Sequence, residues 1–415
     1  MESGGAAALP QGEAHPEGTP GALPRPVPRV ELRRLTVRDF RNLERVDLAV
    51  PPDGLTVVGE NGHGKTNLLE SVYYLELLRS VRGARDADLV RFGAGGFHVA
   101  AEVALPAGDA DRMDRIVSRE VGVGFDRVGK RKRVRIDGAE VPRLSDALGA
   151  VPSVIFSPGD VVLVAGSPSE RRRYLDVALA LTSRRYLAAL QAYRGALVRR
   201  NAALRDAARS GRGEGRASVW EPALAEHGAV LWTERRRWVR QHAEEFARLC
   251  AAIGERAPMR LRYATALDVP ADAEGDSAVA GARAALERAL ADKRPLDLKR
   301  GLTHAGPHRD DLELALGGRD LRLFGSAGQQ RTAAIALRML EAATLREHVG
   351  SAPLFLLDDP FAELDARRAH RILGLLGDAG LGQVLLVVPR ASDVPAELTR
   401  LPRAGIQDGV LSLDG

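Results

Sequence analysis

Residues 30–58 alternate in a strand-like way, as VELRRLTVRDF, VDLAV and LTVV, with Arg41-Asn42 and Pro51-Pro52-Asp53-Gly54 between them. A period of two broken by turn residues predicts half-buried strands of one sheet. A helical pattern follows at 67–79, then strand-like runs at 97–105, 113–125 and 132–136, the last turning at Asp137-Gly138. Residues 151–165, VPSVIFSPGDVVLVA, read as a buried strand. From 171 to about 206 the period changes: Leu175, Leu179, Tyr186, Leu190, Tyr193 and Leu197 fall mostly three, four or seven apart, which predicts one long amphipathic helix. After the glycine-rich SGRGEGR at 210–216, a second stripe runs through Leu231, Trp238, His242, Phe246, Leu249 and Ile253. Such a pair forms either an antiparallel hairpin projecting from the sheet domain or ordinary helices packed over its core. Strand and loop character returns from Leu302, and LFLL at 354–357 is a buried strand ending in Asp358-Asp359.

These patterns divide the 415 residues into a disordered leader at 1–29, sheet-rich parts at 30–170 and 296–415, and a helical insertion at 171–295. The leader has six prolines and neither the basic start nor the apolar stretch of a signal peptide; a start codon placed too early explains it equally well. No run of eighteen apolar residues occurs, so no membrane span is expected. A single cysteine, Cys250, excludes an internal disulfide and fits a cytoplasmic protein. The pI near 9.6 invites nucleic acid, but the net charge is only +5 and nearly all the basic residues are Arg, so only their placement can argue for it.

The chemistry concentrates in three segments that occur in a fixed order. GENGHGKT at 59–66 follows a strand and precedes a helix, the context a phosphate-binding P-loop requires. Its glycines let backbone N–H groups of Gly59, Glu60, Asn61, Gly62, His63 and Gly64 curl around phosphate oxygens at a positive helix N-terminus. Lys65 would reach the outer phosphates and Thr66 would hold Mg²⁺. GSAGQQR at 325–331 precedes an Ala- and Leu-rich helix that Ser326 can cap, leaving first-turn amides open to an anion. At the end of the 354–358 strand, Asp358 is placed to bind Mg²⁺ and Asp359 to orient the attacking water. Pairing of these motifs requires the 354–358 strand to lie beside the P-loop strand, in a nucleotide domain split by the helical insertion. Bland alternatives exist for each segment: a glycine turn, a helix cap, a pair of loop carboxylates.

GENGHGKTN, GSAGQQR and LFLLDDPFAELD together resemble the P-loop, signature, Walker B and D-loop of ABC-type ATPase heads. GSPSERRRYLD at 166–176 and THAGPHRDDL at 303–312, with Arg200-Asn201, are similar to marker segments of the RecF family of bacterial recombination mediators. The resemblance runs from about Leu32 to near the C-terminus. It implies an α/β fold, an ABC-type P-loop head with mixed sheets split by an inserted antiparallel helical domain. ATP and Mg²⁺ are the implied ligands, with Asn67 beside the P-loop. Arg41 resembles the N-terminal arginine that contacts nucleotide phosphates in SMC and Rad50 heads, and pairing with a surface carboxylate is equally consistent. Ser326, Gly328 and Gln329 would act in trans on the partner's nucleotide in an ATP-dependent homodimer, with Asp365 in the D-loop. Weak, DNA-stimulated hydrolysis would release that clamp. Family membership further implies recognition of single-strand/double-strand junctions at gaps, and work with RecR and RecO to load RecA, in a nucleoid-associated cytoplasmic protein.

Departures are visible. Asp359 stands where ABC heads usually carry Glu; FSPGD at 156–160 lacks the Q-loop glutamine, with Gly159 at a usually acidic place; and 383–388 leads to Pro389-Arg390 without a switch histidine. Candidate DNA contacts are Lys130, Arg131 and Lys132, continuing to Arg133 on a hairpin, and Arg171, Arg172, Arg184, Arg185, Arg199 and Arg200 with Arg235-Arg236-Arg237 in the helical insertion. Solvated helix faces are the plain alternative for any one pair. A transporter ATPase subunit is the competing class, disfavoured by the missing glutamine and histidine. An SMC-like tether would need coils of hundreds of residues, longer than 171–295.

Overall fold

The structure, a computed structural model, describes residues 28–106, 116–210, 214–269, 275–362, 364–378, 380 and 382–413. All but the last two positions of the expected leader lie outside the described residues. One sheet is antiparallel, in the order β2 (Leu43–Ala49), β1 (Glu31–Phe40), β4 (Gly96–Pro106), β5 (Ile116–Asp126), β6 (Arg131–Ile136) and β7 (Ala139–Glu140). A second runs β15 (Val410–Leu413), β14 (Arg403–Gln407), β3 (Gly54–Val58), β13 (Val384–Val388), β12 (Leu354–Asp358), β8 (Ser153–Phe156), and is parallel from β14 to β8. A third joins β9 (Met259–Ala264), β10 (Asp311–Leu316) and β11 (Arg319–Asp320).

The pleat explains how two cores share one sheet. Leu354 and Leu356 of β12 enter a core with β1, β4, β5 and helix α1 (Lys65–Leu77). Phe355 and Leu357 point the other way, into a core with helix α10 (Ala327–Val349) and the helical insertion. Each such fully buried Leu or Phe contributes about 1.5–3 kcal/mol. Strands covered on both faces read as continuous apolar runs, and β12 and β13 are buried at every position. Helix α1 therefore lies between two sheets, and α10 covers the far face of the second. Gln383 ties the sheets together: its side chain accepts from Leu32 N at 2.7 Å and donates to Leu32 O and Pro51 O at 3.0 and 2.8 Å.

Several expectations are corrected. The P-loop strand β3 and the Walker B strand β12 are not neighbours: β13 lies between them, pairing parallel with both. Residues 151–165 do not form one strand. Pro158-Gly159 ends β8, a Ser157/Asp160 capping box turns the chain, and residues beyond form the short helix α3 (Val162–Ala165). The helix expected from 171 to 206 is two, α4 (Pro168–Thr182) and α5 (Arg184–Ser210), because Ser183 adopts an extended conformation and its Oγ accepts from Tyr186 N.

Helix α7 (Glu221–Ile253) is the second expected helix, and α8 (Gly275–Arg300), a third long one, has no counterpart in the sequence reading because its apolar residues are mostly small alanines. The helices do not project as a free hairpin. Trp232, Trp238 and Phe246 belong to the same continuous core as Phe355 and Val388, and Trp238 Nε1 donates to Thr344 Oγ1 of α10 at 3.0 Å. Short helices α2 (Asp86–Leu89), α6 (Glu214–Ser218) and α9 (Leu321–Phe324) and helix α11 (Ala366–Asp378) complete the chain. Among the described residues, no helix is long and apolar enough to cross a membrane.

Candidate nucleotide-binding site

Between β3 and α1 the segment 59–64 loops without regular structure, and α1 starts at Lys65 with no side-chain cap and no acidic residue in its first turn. An uncapped helix N-terminus presents its amides and positive dipole to an anion. Two glycines are sterically required. Gly64 has φ +108° and a Cβ there would stand 2.9 Å from Asn42 Oδ1; at Gly59 it would stand 2.4 Å from Ile406 O. Asn42 braces the loop by donating to Gly62 O at 3.3 Å, and Asn67 Nδ2 donates to Asn42 Oδ1 at 2.8 Å. His63 is held from outside, its Nδ1 accepting from Asp408 N at 2.9 Å on the turn after β14. Glu60 and Asn61 stand exposed at the rim.

The Lys65 ammonium folds back over the loop, donating to Gly59 O and Glu60 O at 2.5 and 2.8 Å. Burial lowers its pKa, while Asp358, Asp359 and Glu60 oppose that shift. Although β13 separates the two strands, the helix after the P-loop crosses it and Thr66 Oγ1 reaches Asp358, at 2.9 and 3.1 Å from the two carboxylate oxygens. Burial raises the Asp358 carboxyl above its ordinary value, with Thr66 pulling the other way. No group of three or more His, Cys, Asp or Glu suited to a metal occurs among the described residues. One hydroxyl and one carboxylate fit a hard cation that takes its remaining ligands from phosphate and water, as Mg²⁺ does.

Asp359 follows with φ +44°, a left-handed conformation that Asp tolerates better than most residues, and its N–H donates to Val387 O at 2.9 Å. Burial and then Asp393 raise its carboxyl pKa, against Arg331 and Lys65, so it is a better proton acceptor than a free aspartate. Arg41, also left-handed at φ +58°, donates to Glu70 of α1 at 3.1 and 3.3 Å. This partner is a buried carboxylate, not a surface one. Glu70 also accepts from Ser80 and pairs with Arg82. Burial pushes its carboxyl up, but hydrogen bonds from Arg82, Arg41 and Ser80 outweigh that and hold it below the ordinary value. Glu70 and Arg82 escaped sequence reasoning, since neither falls within a motif; only a charged residue on the apolar side of a helix marked Glu70. A cleft of about 520 Å³ runs from Thr66 and Asp358 past Gly159 and Asp160 to Arg338. There Arg338 of α10 binds Asp160 and Glu341, at 2.6 Å each.

The signature segment lies at the start of α10. Ser326 Oγ accepts from Gln329 N and Gln329 Oε1 accepts from Ser326 N, a reciprocal cap, while Gly328 O accepts from Arg368 of α11. The Oδ1 of exposed Asp365 accepts from Arg368 N at 2.9 Å. These hydrogen bonds stay within α10 and α11 and do not reach the P-loop.

The candidate DNA contacts divide sharply. Arg200 is fully buried between Asp297 and Glu221, and Arg171 is buried against Asp311, Val164 O and Gly166 O, so neither can meet a phosphate. Lys132 is also turned inward, its Nζ donating to Leu78 O at 2.6 Å and pairing with Asp86 at 2.8 Å. Alternation on β6 dictates this: positions 132 and 134 face α1, whereas 131, 133 and 135 face solvent. Arg172 is half-buried and donates to Asp310 O. Lys130, Arg131, Arg184, Arg185 and Arg199 are exposed, with Arg184 donating to Ser145 O and Arg199 lying over the Trp220 ring. Arg235 is buried with Asp176. The missed signal was positional: arginines beside the marker segments serve as internal struts.

Comparison with known proteins follows the same outline. Residues 31–398 match the RecF/RecN/SMC N terminal domain family. A DNA replication and repair protein RecF of Chloroflexus aggregans is 37% identical over 397 residues, covering 92% of this chain and 99% of that one. One from Anaeromyxobacter dehalogenans strain 2CP-C is 38% identical over 387 residues, with coverage of 92% and 99%. A solved structure of the recombination mediator protein RecF with ATP, from the RecFOR pathway, superposes with a TM-score of 0.82 at 28% identity, covering 95% of this chain and 100% of that one. An Smc head domain from Pyrococcus furiosus shares the fold, with a TM-score of 0.52 at 17% identity over 93% and 96% of the two chains.

Proposed function

The chain belongs to the RecF family, and on that premise we propose that it is an ATP-binding, DNA-binding replication and repair protein whose nucleotide state controls dimerisation. The observation that carries the nucleotide reading is Thr66 Oγ1 against both oxygens of Asp358 at the mouth of an uncapped P-loop helix. Lys65 leaves its carbonyl partners for the outer phosphates, and amides of residues 59–66 take the others. Thr66 and Asp358 would hold Mg²⁺, which would supply neutralisation of phosphate charge. Asp359 orients the attacking water; a short carboxylate there suits a slow, switch-like hydrolase. Arg41, released from Glu70, adds a phosphate contact.

Because the hydrogen bonds of Ser326, Gly328 and Gln329 stay away from the P-loop of their own chain, these residues serve the nucleotide of a second copy, with Asp365 beside them. DNA, in particular gapped or junction DNA, stimulates the weak hydrolysis that reopens the dimer. RecR is the proposed direct partner, with RecO and RecA downstream in recombinase loading, in the nucleoid-associated cytoplasm. The relatives' names as repair proteins, and the ATP-bound mediator at 28% identity, support this reading over a transporter subunit. Titration of labelled ATP tests it: Lys65→Met should abolish binding, and retained binding would remove the P-loop from the account.

A further inference from the structure

The solvent face of the antiparallel sheet carries charge in an ordered row. Arg45 of β2 pairs in register with Arg38 of β1, Arg38 with His98 of β4, His98 with Gly124 of β5, and Gly124 with Arg133 of β6. Arg38, Arg45 and Arg133 are exposed, and none makes a salt bridge with a described residue. Four strand steps at about 4.8 Å make a row of about 19 Å. Between its ends the His98 ring lies against Gly122 and Gly124, whose lack of side chains makes room for it, with Ala100 beside them. One step further stands Arg135; beyond it the face turns acidic, with Glu102 opposite Glu120, and Arg34 is consumed by Asp47. The charge is therefore concentrated at one end of the sheet.

That end has two further properties. Its loops expose large apolar side chains: Phe92 is 98% exposed, in the turn leading to β4, and Val128 is 89% exposed, at the tip of the β5–β6 hairpin. The two loops are joined by Arg127 N donating to Gly95 O at 2.8 Å, and Asp126 is spent holding the hairpin, accepting from Val128 N and Gly129 N. The same end abuts the nucleotide site, since the β1–β2 turn supplies Arg41 and Asn42.

Resting on the reading that the chain binds DNA, we propose that the Arg45–Arg38–Arg133 row is the surface that holds the duplex backbone, and that Phe92 stacks on the base exposed where the duplex gives way to single strand. Phosphates along one strand carry a charge about every 3.4 Å of axis, so a row of this length meets several of them. An aromatic side chain stacks on any base, which reads an unpaired end without reading sequence. The acidic far end of the sheet fixes which way the duplex lies. Asn42 on the P-loop then gives bound DNA a mechanical route to the nucleotide.

The test uses the full chain with a non-hydrolysable ATP analogue, fluorescent blunt duplex and fluorescent gapped duplex, over a salt series. The triple variant Arg38→Gln, Arg45→Gln, Arg133→Gln should lose up to about 100-fold in affinity for both DNAs near physiological salt, with a salt slope shallower by up to about 2.7. Phe92→Ala should bind blunt duplex as the parent does and lose about tenfold or more on gapped duplex alone. Both variants should keep the parent's nucleotide affinity, which excludes misfolding as the cause. A triple variant with unchanged affinity and slope would overturn the proposal. Equal loss on both DNAs for Phe92→Ala would overturn the junction role. A parent chain that binds neither DNA would instead overturn the DNA-binding reading itself.

Discussion

Replacing Arg338 with Met is expected to cost far more than one side chain's packing. Its guanidinium donates to two carboxylates from distant parts of the chain: Asp160 Oδ1 at 3.0 and 2.6 Å and Glu341 Oε2 at 2.6 Å. Arg338 is 8% exposed, Asp160 8% and Glu341 1%; Asp160 borders the cleft, but Glu341 has no comparable access to water when the arginine goes. Breaking a buried pair by removing one partner typically costs about 3–5 kcal/mol, because a charge is left uncompensated. With an unfolding entropy of about 2.1 cal/mol/K per residue, a chain of this size would lose about 3–6 °C in Tm if it unfolds as one unit. Differential scanning calorimetry reads that shift. The diagnostic is the double variant with Asp160→Asn, which removes the charge yet keeps an oxygen to accept from Ser157 N at the 2.7 Å contact. It should be less destabilised than the sum of its singles. A Tm within about 1 °C of the parent for Arg338→Met, or strict additivity, would refute the uncompensated-charge reasoning.

Ser326→Arg should leave ATP binding by the single chain intact while preventing the ATP-dependent dimer, measured by light scattering, because Ser326 is exposed and its side chain bonds within its own helix start, to Gln329; loss of ATP binding would refute the role in trans. Asp359→Asn should slow turnover by about 100-fold or more while ATP-bound dimer accumulates, and unchanged turnover would exclude Asp359 as the group that orients water. His308, between Tyr193 and Thr303 O, is pushed down to about 4, chiefly by burial. Its folded value lies below its unfolded one of about 6.5, so the unfolded chain binds the extra proton; the contribution of His308 to stability should be flat above pH 6.5 and fall between about 6.5 and 4. Thermal midpoints of the parent and His308→Gln over that range should converge as pH falls, and parallel curves would contradict the assignment.

Much of the head was legible because its signals are local. The alternation of 31–49 and the apolar runs 354–357 and 384–388 state which faces are buried, whereas 54–58, expected in the same sheet as 31–49, is a buried strand of the second sheet; the P-loop residues carry their own geometry in Gly59 and Gly64. Strand order was not local: nothing in residues 354–358 announces that β13 separates them from the P-loop strand, since parallel pairing joins distant segments. The break at Ser183 was hidden because both helices place Leu179 and Tyr186 in one core, so the apolar period runs across the bend. Arginine was the least legible residue. Identical charge runs resolve into solvent-facing Arg133, inward Lys132 and the wholly buried strut Arg200, and only the pleat and the distant carboxylates Asp297 and Glu221 distinguish them.

The most direct test of the account is the mass of the purified chain in solution with Mg²⁺ and a non-hydrolysable ATP analogue, beside the same chain with ADP and Lys65→Met with the analogue. The account predicts a dimer for the parent with the analogue alone, and monomers in the other two. A parent chain that stays monomeric with the analogue bound, or is equally dimeric in all three, would contradict nucleotide-controlled dimerisation.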